Sequence, residues 1–212
     1  MNPRTARESV AGPSGRIECA IDRTESAPRG LAMICHPHPQ GGGTLDNKVV
    51  QTLARAFLQL GWASLRFNYR GVGASEGVWA DGLGEVDDAR AVLADWRSRP
   101  EFSALPFCLA GFSFGGYVAA EVAHRLPEGD RPRRLVLIGP STQKQDVPAV
   151  PADTVVIHGE SDDIVPLGAT LDWARPQNLP VIVLPGVGHF FHGQLALLKS
   201  VVVRELHDLD AV

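Results

Sequence analysis

A chain of 212 residues, 44% hydrophobic and 21% charged, can bury a sizeable core and has the composition of an ordinary globular protein. Its net charge is −4 and its Lys and Arg residues are scattered, which argues against nucleic-acid binding. Residues 1–15 are polar and lack the apolar centre of a signal peptide, and no apolar run approaches the ~20 residues needed to cross a bilayer. Cys35 and Cys108 sit inside apolar runs and read as small core residues; three cysteines, an odd number, fit a reducing cytoplasm. With no repeat, low-complexity tract or linker, residues 1–212 read as one domain.

In chain order, residues 8–11 and 16–21 read as two short strands joined at Gly12-Pro13-Ser14-Gly15. Residues 31–35 form a continuous apolar run, as expected of a strand buried on both faces, and end at His36-Pro37-His38-Pro39-Gln40 and three glycines. Apolar positions at helical spacing predict a helix over 47–60, closed by Gly61. A strand over 62–67 leads into a Gly-rich loop, and a second helix is predicted over 84–99, stopped by Pro100. Then come a strand at 107–110 and a helix-like run at 117–126. Further strands are predicted at 135–138, 155–157 and 181–184, with helices at 167–174 and 193–208. Apolar strands alternating with helices predict a mostly parallel sheet of about eight strands, covered on both faces, with the first two strands antiparallel at one edge.

Chemistry concentrates in Gly111-Phe112-Ser113-Phe114-Gly115-Gly116, between the strand at 107–110 and the following helix. A G-x-S-x-G in a strand–turn–helix context presents an exposed serine on a sharp turn, with free N–H groups of the helix start nearby. The flanking glycines are the residues such a turn tolerates. A bare serine is a poor nucleophile and needs a base and an orienting acid. An acid, Asp162 or Asp163, follows the strand at 155–157, and a histidine follows the last strand. That order, each member at a strand's C-terminal end, is the order of the α/β-hydrolase fold.

The elbow, the segment from His158 to Pro166 and the segment Gly188-His189-Phe190-Phe191-His192-Gly193 resemble small serine α/β-hydrolases. Within these, Cys35-His36-Pro37-His38-Pro39, Gly41-Gly42-Gly43 and Asp46-Asn47-Lys48 resemble a lidless bacterial group, usually described as esterases or uncharacterised hydrolases. The resemblance spans nearly the whole chain. Its pattern Gly-x-x-Asp-x-x-Val-Pro fits Gly159, Asp162, Val165 and Pro166, implying Asp162 as the acid and Asp163 as a loop carboxylate. It implies His189 as the base, with His192 bordering the site. His124 and His207 fall on helices, and His158 closes a strand.

A second G-x-S-x-G, at Gly73, Ser75 and Gly77, lies in a Gly-rich loop with no helix starting at the serine, so it is not expected to hold the nucleophile. An oxyanion hole needs two backbone N–H groups. One is expected from Phe114 and the other from the loop after Cys35, where the prolines leave His38 or Gln40; the resemblance selects His38. Gln40, Phe112, Phe190 and His192 are candidate pocket residues, with Trp79, Phe114 and Phe191 as further apolar walls. His36, His38, His189 and His192 are weighed as metal ligands, but no H-E-x-x-H or Cys pair accompanies them, so no metal and no cofactor is expected. Only residues 141–153 separate the strands at 135–138 and 155–157, where this fold inserts caps, so an open site is expected. The expectation is a hydrolase of small carboxylic esters with short acyl groups. A thioesterase, a small peptidase or a non-catalytic binding protein on the same fold are the alternatives.

Overall fold

The computed structural model describes residues 5–209. Strand β1 (Thr5–Gly12) and strand β2 (Gly15–Asp22) form an antiparallel hairpin, turned at Gly15 with φ 110°. Both run longer than their apolar residues predict, because polar positions on this edge pair across the hairpin, as Arg7 does with Glu18 at 3.0 Å. Strand β3 (Leu31–Cys35) is buried at every position. The pleat sends Met33 and Cys35 into one core and Ala32 and Ile34 into the other, so its apolar run needs cover on both faces.

Strands β4 (Ala63–Phe67), β5 (Phe107–Phe112), β6 (Arg134–Ile138), β7 (Val155–Gly159) and β8 (Val181–Leu184) complete the sheet, in the order β1-β2-β4-β3-β5-β6-β7-β8. From β4 to β8 all pairings are parallel, while β2 joins β4 antiparallel. Helices α1 (Lys48–Gln59) and α5 (Leu195–Glu205) cover one face, burying Val50, Phe57, Leu198 and Val202. Helices α2 (Leu83–Ser98) and α3 (Phe114–Arg125) cover the other with Leu93, Trp96 and Val118, and α4 (Leu167–Ala174) adds Ala174 on that side.

Of the boundaries that differ from the sequence expectation, three bear on the site. Strand β5 continues to Phe112, because Gly111 and Phe112 still pair with Leu137 and Ile138 of β6. Helix α3 starts at Phe114, its first turn holding Gly115 and Gly116. Helix α5 begins only at Leu195, since Gly193 takes φ 72°, outside the right-handed helical region. No secondary-structure element interrupts the connection between β6 and β7, and among the described residues no cap domain covers the sheet. All three cysteines are buried and free. Among the described residues no helix is long and apolar enough to cross a membrane.

Candidate active site

The C-terminal ends of β3, β5, β7 and β8 meet around one cleft. At the end of β5, Ser113 adopts φ 56° and ψ −120°, a strained backbone for a non-glycine residue. The strain is held by hydrogen bonds on both sides: Ser113 N–H donates to Ile138 O at 2.9 Å, and Ser113 O accepts from Gly116 and Ser141 N–H. The flanking glycines are steric requirements. A Cβ at Gly111 would lie 2.0 Å from Gly115 O, and one at Gly115 would lie 2.2 Å from Cys35 O and 2.6 Å from His36 O. The elbow therefore packs backbone to backbone against the loop after β3.

After β7, the chain turns so that Asp162 faces β8. Its Oδ1 accepts from the Ile164 and Val165 N–H groups at 2.9 and 2.8 Å. Its Oδ2 lies 2.7 Å from His189 Nδ1. Burial alone would raise the Asp162 carboxyl, but the hydrogen bonds from His189 and Val165 outweigh it and hold the group below the usual carboxylate range. Asp163 is exposed and stands outside this network. His189 is 3% exposed and packs against Phe112 and Phe190, with ring centroids 4.9 and 5.0 Å away. Two residues on, Phe191 takes φ 53° and sinks its ring fully into the core, which fixes the turn that carries His189.

The loop after β3 is tightly wound. His38 O accepts from the Gly41 and Gly43 N–H groups, and the left-handed Gly42 (φ 79°) closes the turn. A Cβ at Gly43 would lie 2.0 Å from Pro37 O. The Gln40 N–H donates to His38 Nδ1 at 3.2 Å. The His38 ring packs on Trp79 and Phe114 at 4.7 and 5.1 Å. Phe114 N–H belongs to the first turn of α3, with no carbonyl one turn back in the helix to receive it.

The cleft encloses about 400 Å³, and Ser113, His189, His38, Phe114 and Phe190 line it together. Other expected wall residues lie elsewhere. Phe112 is fully buried in the α1/α5 core: the lengthened strand points it to the same face as Ala110, away from the cleft. Phe191 is buried in that core too. Gln40 lines a separate depression with Arg70 and Val78, because its N–H is turned back onto the His38 ring. His192 lines an adjoining depression beyond Phe190, with Asp46 and Lys48. Ser75 is outside the cleft: it donates to Asn68 O and accepts from Glu18 N–H, tying the Gly-rich loop to the edge hairpin.

His36 is buried between Pro37 O and the Tyr69 N–H, and burial pushes it down to about 3. Among the described residues no group of three or more His, Cys, Asp or Glu side chains is placed to hold a metal ion.

Sequence reasoning passed over two features. His158 lies fully buried beneath Asp162, its Nε2 2.9 Å from Val165 O and 3.3 Å from Asp162 Oδ2. A carbonyl can only accept, so Nε2 carries the proton and spans both atoms. Burial lowers the tendency of this imidazole to charge. Lys144 and Gln145, from the loop after β6, form one wall of the cleft. A strand-ending histidine four residues before the acid was visible as spacing; the loop residues gave no local signal.

The family described as serine aminopeptidase, S33, matches residues 26–158. The chain belongs to this family of α/β serine hydrolases. Its fold is that of the lidless members. A crystal structure from Xanthomonas campestris, described as an α/β serine hydrolase without lid, is 35% identical with a TM-score of 0.88, covering 98% of this chain and 95% of that one. An α/β serine hydrolase homologue from Coxiella burnetii is 36% identical with a TM-score of 0.86, covering 95% of this chain and 97% of that one. The uncharacterized protein RP471 of Rickettsia prowazekii is 33% identical over 85% of this chain and 79% of its own length.

Proposed function

We propose that this serine hydrolase cleaves carboxylic esters with short acyl groups through Ser113, His189 and Asp162. The observation that carries the reading is the 2.7 Å Asp162–His189 pair opening onto the same cleft as a serine held at φ 56°. With Nδ1 of His189 committed to Asp162, the other ring nitrogen is left for the serine hydroxyl. Ser113 Oγ attacks the ester carbonyl carbon while His189 takes the hydroxyl proton. The tetrahedral oxyanion collapses, and His189 gives that proton to the departing alcohol. Water, deprotonated by His189, then attacks the acyl-enzyme, and the acid leaves as Ser113 regains its proton.

The oxyanion donors in this reading are the N–H groups of Phe114 and His38. Gln40 is the weaker candidate, since its N–H is spent on His38 Nδ1. An aminopeptidase would have to hold a free α-ammonium group, which calls for a carboxylate in the cleft. The residues lining the cleft include no Asp or Glu, and this favours ester over amino-terminal peptide substrates.

Hydrolysis of para-nitrophenyl acetate and butyrate is expected, with a fluorophosphonate probe labelling Ser113. The Ser113→Ala variant is expected to lose both, with turnover down at least about a thousandfold. Undiminished turnover in that variant would sink the assignment.

A further inference from the structure

The loop after β6 holds a feature the ester reading leaves unused. It is pinned on both sides of Lys144. Thr142 Oγ1 lies 3.0 Å from Thr170 Oγ1 of α4, and Trp173 Nε1 of α4 donates to Val147 O at 2.9 Å. Val147 itself is buried in the core. Between these anchors Lys144 and Gln145, with Ser141 just before them, face the cleft that Ser113 and His189 line. Ser141 Oγ donates to Gln145 Oε1 at 3.1 Å, so the carbonyl end of that amide is occupied and its NH₂ end remains to donate.

The charge balance of the cleft is one-sided. Its lining residues include Lys144 and no Asp or Glu. Asp146 is exposed and outside that lining. Glu85 is buried, with its oxygens accepting from the Ala80 and Gly82 N–H groups. Lys144 also acts on His38 electrostatically: burial first, and this cation second, lower the tendency of the His38 imidazole to charge, with Glu85 opposing them from outside the lining. The depression beyond Phe190 lacks the bias, since it holds both Asp46 and Lys48.

We propose that this wall is an anion subsite, in which the Lys144 ammonium and the Gln145 amide NH₂ hold a carboxylate carried by the ester substrate. The substrate class is then an acidic ester: a half-ester of a dicarboxylic acid, or an ester of a hydroxy acid. The proposal rests on the esterase reading only for the word ester; the subsite is a property of the loop.

Two matched pairs test it. Para-nitrophenyl hydrogen glutarate against para-nitrophenyl valerate puts the anion on the acyl side. Para-carboxyphenyl butyrate against phenyl butyrate puts it on the alcohol side. In one pair the anionic ester is expected to have the higher kcat/KM. That anionic-to-neutral ratio is expected to fall roughly fivefold in Lys144→Gln, further in Lys144→Glu, and with added salt. A ratio at or below one in both pairs, or one that Lys144→Glu leaves unchanged, overturns the subsite.

The same anionic esters titrated calorimetrically into Ser113→Ala protein, with and without Lys144→Gln, read binding apart from turnover. Binding that depends on Lys144, in a protein whose native Ser113 neither reacts with fluorophosphonate nor turns over esters, keeps the subsite and removes the esterase reading. Turnover through Ser113 with anion binding indifferent to Lys144 removes the subsite alone.

Discussion

Gly115→Ala tests the contact between the elbow and the loop after β3. The new Cβ would sit 2.2 Å from Cys35 O and 2.6 Å from His36 O, both well inside the 3.4 Å where ordinary contact begins. Both obstacles are backbone, so no side-chain rotation relieves them. Either α3 lifts away from β3, or the loop bearing His38 moves outward. Overpacking of this kind costs about 1–3 kcal/mol, which for a chain this long lowers Tm by roughly 2–12 °C. Displacing the loop by about 1 Å would pull the His38 N–H, the proposed oxyanion donor, out of reach, a misplacement worth roughly a hundredfold in rate. The assay is the second-order rate of fluorophosphonate labelling at Ser113, beside a thermal melt. Gly168→Ala is the control: it lies exposed on α4 with nothing within 4 Å of its Cβ position. Gly115→Ala labelled as fast as the native protein would refute the reasoning, because the elbow and the loop would then not be in register.

Two further outcomes follow from the histidines. Replacing His158 by Phe removes the N–H that holds Val165 O and reaches Asp162 Oδ2, and kcat is expected to drop about ten- to a hundredfold. His158→Gln, which keeps an N–H near that point, is expected to recover most of it. A carboxylate with one donor fewer is more basic, so the acid limb of the pH–rate profile moves to higher pH in His158→Phe; an unmoved limb would leave His158 a packing residue. His36 tests acid stability. Its Nδ1–H donates to Pro37 O and its Nε2 accepts from the Tyr69 N–H, so a second ring proton would face a donor. Burial pushes this imidazole from 6.5 to about 3, so the unfolded chain binds the extra proton and the folded one does not. Stability is full above 6.5 and falls as pH drops towards 3, by up to ~1.4 kcal/mol per unit from this residue. Urea midpoints measured across that range are expected to fall less steeply in His36→Gln; an equal slope would refute the assignment.

The architecture was legible in the residues because both of its signals are local. Leu31–Cys35 has no polar member, so it had to be a strand with two covered faces. Gly111 and Gly115 flank a serine between a strand and a helix, and each lacks a Cβ because backbone lies within 2.2 Å of where it would be. Chain order alone leaves Asp162 and Asp163 open; the resemblance, through Gly159, Asp162, Val165 and Pro166, implies Asp162, and it is Asp162 that lies 2.7 Å from His189.

What tertiary structure alone decided is direction. Phe112 and Phe190 look alike in sequence, yet two extra pairings with β6 carry β5 far enough to turn Phe112 into the core, while Phe190 is left on the cleft. Gln40 and His38 are equally placed by residue count, and a hydrogen bond to a ring nitrogen turns one of them away. His158 reads as the end of a strand until the turn after it folds back and sets Val165 O and Asp162 above its ring. Lys144 acquires its place from two anchors on α4, a helix more than twenty residues further on. Local periodicity and turn chemistry act over a few residues and are written in the chain. Which face a side chain meets depends on contacts distant in sequence, and those exist only once the sheet has closed.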